Sequence, residues 1–174
     1  MKITFKLQTK SYLYVGVLLL SLFSLNSCGI GLIVRGAAKK SISVEKGTAP
    51  KTFIGKDEVL LLLLWENKAY DKQVKKAFDK FYEGKKEYVT YSELKSNEKY
   101  QNLDKYPFVF SQGPENKMLY EGTGNFSYTF TGSRPFHIYD RREKTFHMSR
   151  FTSGFYGRMI QAYAMKLNKI RVMR

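Results

Sequence analysis

The sequence predicts a small α/β protein: one domain built on a mixed β-sheet, with a βαβ unit, an antiparallel C-terminal meander and hairpin, and a C-terminal helix. Three observations carry this expectation. Glu58 to Trp65 contains an unbroken apolar run, too short for a helix that must also present a polar face and suited to a strand buried on both sides. Apolar positions Tyr70, Val74, Ala77, Phe78 and Phe81 then recur at helical spacing, with Lys68, Lys72, Lys75, Lys76 and Lys80 mostly elsewhere on the wheel. Beyond residue 106 the chain turns to short aromatic-rich stretches separated by turn residues, the pattern of antiparallel strands.

Composition agrees with a folded domain. Of 174 residues, 43% are hydrophobic and 16% aromatic, content that a disordered chain lacks. The single cysteine excludes an internal disulfide and a Cys-based zinc cluster. A formal charge of +15 raises the question of anionic partners.

In chain order, residues 1–27 open with Lys2, Lys6 and Lys10 and no acid, followed by the apolar stretch from Tyr12 to Leu25. A basic head before a short apolar run is the layout of a secretory signal peptide. The one cysteine falls directly after it, in Leu25-Asn26-Ser27-Cys28-Gly29. This resembles the lipobox of bacterial lipoproteins, and the Lys/Tyr/Asn/Phe-rich composition with its Ser-Cys ending is similar to lipoproteins of the Bacteroidota. The resemblance covers about the first 30 residues. It implies cleavage before Cys28, fatty acylation (palmitate) of that residue and attachment to a membrane, with two or three chains giving stable anchorage. Gly29 in place of the aspartate that retains enteric lipoproteins in the inner membrane implies the outer membrane. The lack of an acidic cluster after Cys28 implies the periplasmic side. An uncleaved anchor from Tyr12 to Val34 is the alternative, with Asn26 and Ser27 inside the span.

Residues 28–56 mix Gly, Ala, Ser, Thr and Lys without sustained periodicity, so the lipidated N-terminus is expected to continue as a tether, with Ser41 to Val44 available as an edge strand. The globular domain is expected over 57–174. Within it, the apolar strand and the amphipathic helix are followed by Gly84 as a helix stop and by a strand at Glu87–Tyr91, which together make a parallel βαβ unit. Ser92 to Leu103 reads as a short Ser-capped helix, and Tyr106–Phe110 as a strand whose proline suits an edge or a strand start. Lys117–Tyr120, Asn125–Thr131 and Phe136–Arg150 read as antiparallel strands, the last folded at Asp140–Glu143. Ser153 is expected to cap the final helix, whose last turn carries Lys169 and Arg171.

Chemistry-bearing motifs are sparse. His137 and His147 sit in the expected hairpin. A two-residue loop would put them on opposite faces, and a three-residue loop centred on Arg142 would pair them; either way a third ligand is lacking, so no metal is expected. The glycines of Gly122-Thr-Gly124 neither follow a strand nor open a helix, as a phosphate-binding turn requires. No Gly-x-Ser-x-Gly occurs, and neither a catalytic residue nor a cofactor is assigned. If helices cover one sheet face only, the other exposes aromatic rings edged by arginines, giving a candidate binding surface of Arg134, Tyr139, Arg141, Arg142 and Arg150. The expected function is therefore a non-catalytic binding or scaffolding module, held to the membrane through acylated Cys28 and engaging another envelope protein or an anionic envelope polymer. The alternatives are a hydrolase-type envelope enzyme acting on glycan, peptide or lipid, and a basic module for anionic lipid or polymer. Nucleic acid is not an expected partner of an exported chain, and the sequence sets no oligomeric state.

Overall fold

The computed structural model describes residues 29–55, 58–112 and 135–173. The chain divides into two compact units, Met1–Ile33 and Val34–Arg174. Of the first, residues 29–33 are described; they are helical, with Ile30, Leu32 and Ile33 exposed.

The second unit is the α/β domain. It opens with helical residues 34–41 (α1) and a turn at 44–47, followed by a 3-10 turn at Lys51–Phe53. Then come β1 (Leu60–Leu64), α2 (Lys68–Phe81), β2 (Lys86–Thr90), α3 (Tyr91–Ser96) and a 3-10 turn at Glu98–Gln101. The chain continues with β3 (Phe108–Gln112), β4 (Phe136–Asp140), β5 (Thr145–Met148) and α4 (Tyr156–Arg171). The sheet order is β2-β1-β3-β4-β5, parallel across β2-β1-β3 and antiparallel across β3-β4-β5. The mixed sheet, its βαβ unit and the closing helix are those the sequence predicts.

Alternation in the strands sorts the core into two layers. On the first face Leu60, Leu62, Phe108, Phe110, Phe136 and Ile138 pack against Tyr70, Val74 and Phe78 of α2 and Met159, Ile160, Tyr163 and Leu167 of α4. Phe110 is the hub: its ring lies 4.8 Å from Phe78, 5.6 Å from Phe136 and 5.4 Å from Tyr163. On the second face Leu61, Leu63, Val89 and Val109 pack under Tyr100 and Tyr106. This is why β1 tolerates no polar residue: as a central strand it has both faces covered.

Within the segment expected as a tether, residues 38–55 pack into the domain. Ala38, Ile42, Ala49 and Phe53 belong to the first-face core and are at most 3% exposed. Side-chain bonds fix this segment to the hairpin and its exit. Ser149 Oγ donates to Ser41 Oγ at 2.7 Å, His147 Nδ1 bonds the Gly47 carbonyl at 3.0 Å, and Thr52 Oγ1 donates to Asp140 Oδ2 at 2.8 Å. Gly55 N–H donates to the Arg171 carbonyl at 3.0 Å. Small residues hide the signal: alanines bury by close approach, and they read as linker composition. Ser41 ends a helix rather than opening an edge strand.

Smaller differences have local causes. β3 is central, not an edge; Pro107 precedes it, where its missing N–H removes no rung from the ladder. α2 ends at Phe81, before Gly84, and the glycine serves close packing instead: a Cβ there would lie 2.6 Å from the Tyr82 ring tip and 2.7 Å from Arg171 Cδ. Phe155, not Ser153, occupies the cap position of α4. Ser153 Oγ accepts the Phe155 N–H at 3.2 Å, one step earlier. The strands expected at Lys117–Tyr120 and Asn125–Thr131 lie outside the described residues.

Candidate binding cleft

The second face carries the site. At the end of β2, Thr90 caps α3: its Oγ1 accepts the Glu93 N–H at 3.2 Å, while Glu93 Oε2 accepts the Thr90 N–H at 2.7 Å. The Thr90 N–H and the Thr90 hydroxyl, which also donates to Glu93 Oε2 at 2.8 Å, hold the Glu93 carboxyl below its ordinary range. The cap is Thr90 and not Ser92, and Thr90-Tyr-Ser-Glu93 with its Thr and Glu three apart is the readable signature. Fixing the helix start at Tyr91 puts Tyr91, Leu94 and Lys95 on one face, by i+3 and i+4 spacing. Gln101 Nε2 then donates to the Leu94 and Lys95 carbonyls at 3.2 and 3.4 Å, satisfying acceptors at the helix C-terminus.

Below that helix, Val109 of β3 and Tyr139 of β4 are paired across the ladder, and Arg141 follows in the turn. Together these residues line a half-open cleft of about 340 Å³. The Tyr139 ring is stacked on Phe146 of β5, centroids 4.4 Å apart, which fixes its plane. Burial raises its phenol, with Arg141 opposing. Lys95 Nζ lies 5.3 Å from the Tyr91 ring centroid.

Arg141 is half-buried and anchored. Its Nη1 donates to the Tyr100 and Tyr106 carbonyls at 2.6 and 3.0 Å, and its backbone N–H to the Pro107 carbonyl at 2.8 Å. Burial draws the guanidinium below its ordinary pKa, partly offset by the Tyr139 phenol. The segment it grips is itself tied to the sheet. Tyr106 and Tyr100 donate to Glu87 at 3.1 and 3.4 Å, and Lys99 Nζ approaches the same carboxylate at 2.6 Å. Burial alone would raise the Glu87 carboxyl, but hydrogen bonds from Lys99, Tyr106 and Tyr100 outweigh it and the net displacement is downward.

The five-residue surface expected from the sequence is split by this geometry. Tyr139 and Arg141 meet in the cleft. Arg142 goes to the other side, where it forms a bidentate pair with Glu58 at 2.9 and 3.3 Å and lies 5.4 Å from the Phe108 ring centroid. Arg150 is exposed beyond β5 and takes no part in the lining, while Arg134 and Cys28 lie outside the described residues. The turn explains the split of neighbours: it begins at Arg141, and Asp140 Oδ1 accepts the Arg142 N–H, leaving the Arg142 side chain to reach Glu58.

The hairpin has neither loop length considered from the sequence. Its turn is four residues, 141–144, with Lys144 in the left-handed region at φ 53° and Asp140 Oδ1 accepting the Arg142 and Glu143 N–H groups at 3.0 and 3.1 Å. His137 therefore faces Met148, and His147 faces Ile138, on opposite sides of the sheet. His137 is buried edge-on against Phe146, and neither ring nitrogen has a partner among the described residues. Burial lowers its pKa from 6.5 to about 4, so it is neutral at physiological pH.

Among the described residues no three His, Cys, Asp or Glu side chains converge as a metal site, and no helix is long and apolar enough to cross a membrane. The described lining offers two cations, an amide, two phenol rings and two aliphatic side chains. Comparison with protein-family models, curated proteins and solved structures gives no match.

Proposed function

We propose that this protein is an envelope lipoprotein, acylated at Cys28 and held in the outer membrane facing the periplasm, whose α/β domain binds another envelope component in the cleft between α3 and β4 without transforming it. The binding half rests on one observation: Tyr139 and the anchored Arg141 share a cleft with Tyr91 and Lys95. Rings and guanidinium groups concentrate binding energy at interfaces. The anchoring half rests on the lone cysteine directly following the apolar segment.

Palmitate labelling tests the anchor. Wild type is expected in the membrane fraction carrying label, and Cys28→Ala is expected to lose the label and accumulate unprocessed; equal labelling of both would overturn the assignment. For the cleft, a photo-crosslinking residue at position 139 is expected to capture an envelope component in intact cells, whereas the same residue at exposed position 150 is not. Capture from position 150 alone would move the binding surface elsewhere.

One observation favours a second reading, a grip on anionic lipid or polymer. The helical layer is strongly cationic: α2 carries five lysines against two aspartates, and α4 four cations and no acid. Binding of that kind collapses as salt rises, whereas binding dominated by cleft desolvation does not.

A further inference from the structure

Arg141 and Arg142 are adjacent guanidiniums with opposite fates. Arg142 has a carboxylate inside the protein, Glu58. Arg141 has none among the described residues: Asp140 is engaged by Thr52 and by two turn N–H groups, and Glu87 by Lys99, Tyr100 and Tyr106. A half-buried cation left without a counter-charge carries a desolvation cost that an internal acid normally offsets.

The carbonyls that hold Arg141 also orient it. With Nη1 committed to Tyr100 and Tyr106, the edge formed by Nη2 and Nε has no protein acceptor among the described residues. That edge presents two parallel N–H groups, the fork that matches the two oxygens of a carboxylate. Arg141 shares the lining of the cleft with the Tyr91 and Tyr139 rings and the aliphatic side chains of Leu94 and Val109. The second cation, Lys95, adds attraction from an exposed position on α3. The volume of about 340 Å³ is at the small end for ligand sites. A phosphate would ask for donors to a third oxygen, and the Gln101 Nε2 that could supply one is already committed to α3 carbonyls.

We propose that the cleft between α3 and β4 is a binding site for a carboxylate carried on a small aromatic or branched apolar body, with the Nη2–Nε edge of Arg141 gripping the carboxylate and the Tyr91 and Tyr139 rings holding the body. This deepens the binding reading above and rests on it for the site, but not on acylation of Cys28. The same chemistry occurs at the C-terminus of a peptide with an apolar last residue and in a free aryl acid.

The test is a titration of the full-length chain in detergent micelles, read by amide NMR. The probes are N-acetylphenylalanine, its carboxamide, hydrocinnamate and phenyl phosphate. The acids are expected to shift the amides of Leu94, Val109 and Arg141 saturably, and to bind about tenfold or more tightly than the carboxamide. Tighter binding of N-acetylphenylalanine identifies a peptide terminus as the source; tighter binding of hydrocinnamate identifies a free acid. Arg141→Gln is expected to abolish the preference for acid over carboxamide. Because that change also removes the staple on Tyr100 and Tyr106, Lys95→Gln at an exposed position provides a second variant, expected to weaken acid binding about two- to fivefold with carboxamide binding unchanged. Acid and carboxamide binding alike, shifts confined to other surfaces, absence of any shift, or phenyl phosphate binding tightest would each overturn the proposal. If a cleft crosslink persists while the acids fail, the ligand assignment falls and the binding reading stands.

Discussion

Replacing Phe53 by alanine is expected to lower the free energy of unfolding by about 3–5 kcal/mol, the range for truncating a fully packed phenylalanine. The ring is 3% exposed, meets Phe108 edge-on at 5.0 Å and lies 6.5 Å from Tyr82. It therefore closes the sheet side of the first-face core near β3, and its loss would leave a cavity that the neighbouring β3 backbone cannot collapse to fill. The measurement is urea or thermal unfolding of the Phe53→Ala variant beside wild type. A segment serving only as a leash would give an unchanged midpoint, and that result would return residues 34–55 to the role the composition first indicated.

Acidification is expected to destabilise the fold through His137. The folded state holds this imidazole neutral until about pH 4, whereas the unfolded chain takes up a proton near 6.5. Between those values the unfolded chain binds more protons, so stability is complete above 6.5, declines as pH falls through the window and stops declining near 4. The full effect is about 3 kcal/mol, since each tenfold change in proton affinity is worth about 1.36 kcal/mol. Glu87, whose carboxyl is depressed, adds a loss of the same sign at lower pH, as its hydrogen-bonded anion is protonated. His137→Leu keeps an apolar body against Phe146 and has no proton to bind, so its stability profile is expected to run flat where that of wild type falls. Parallel profiles for the two proteins would place the acid sensitivity in other groups.

What could be read from the chain depended on how strongly each signal is tied to one physical cause. The run at Leu60–Leu64 and the helical spacing of Tyr70, Val74 and Phe78 have few alternative explanations, and both stand as expected. β3 is harder to place: a proline suits an edge or a strand start, and only the ladder shows that the strand is central and begins one residue after Pro107. The N-terminal segment reads as a linker because Ala38 and Ala49 contribute little apolar area individually and are core residues only through close approach. For the cleft, Tyr139 and Arg141 were legible as hairpin residues. Tyr91, Leu94 and Lys95 were not, because a helix start displaced by two residues rotates its faces by more than half a turn. Arg142 and Arg150 are neighbours of Arg141 in sequence only: the turn at 141–144 sends Arg142 to Glu58, and Arg150 lies beyond β5.

The clips between the N-terminal segment and the rest of the domain also have a mechanical meaning. Tension drawn from ahead of Ala38 meets the bonds at Ser41, Gly47, Thr52 and Gly55 in chain order. The parallel ladders of β1 are loaded only after these have yielded. Single-molecule pulling from that side is expected to show a first step releasing residues 38–55, roughly 60 Å of extended chain, before the sheet ruptures. The segment is thus set in series with the sheet, the first part of the domain to bear a pull from that side.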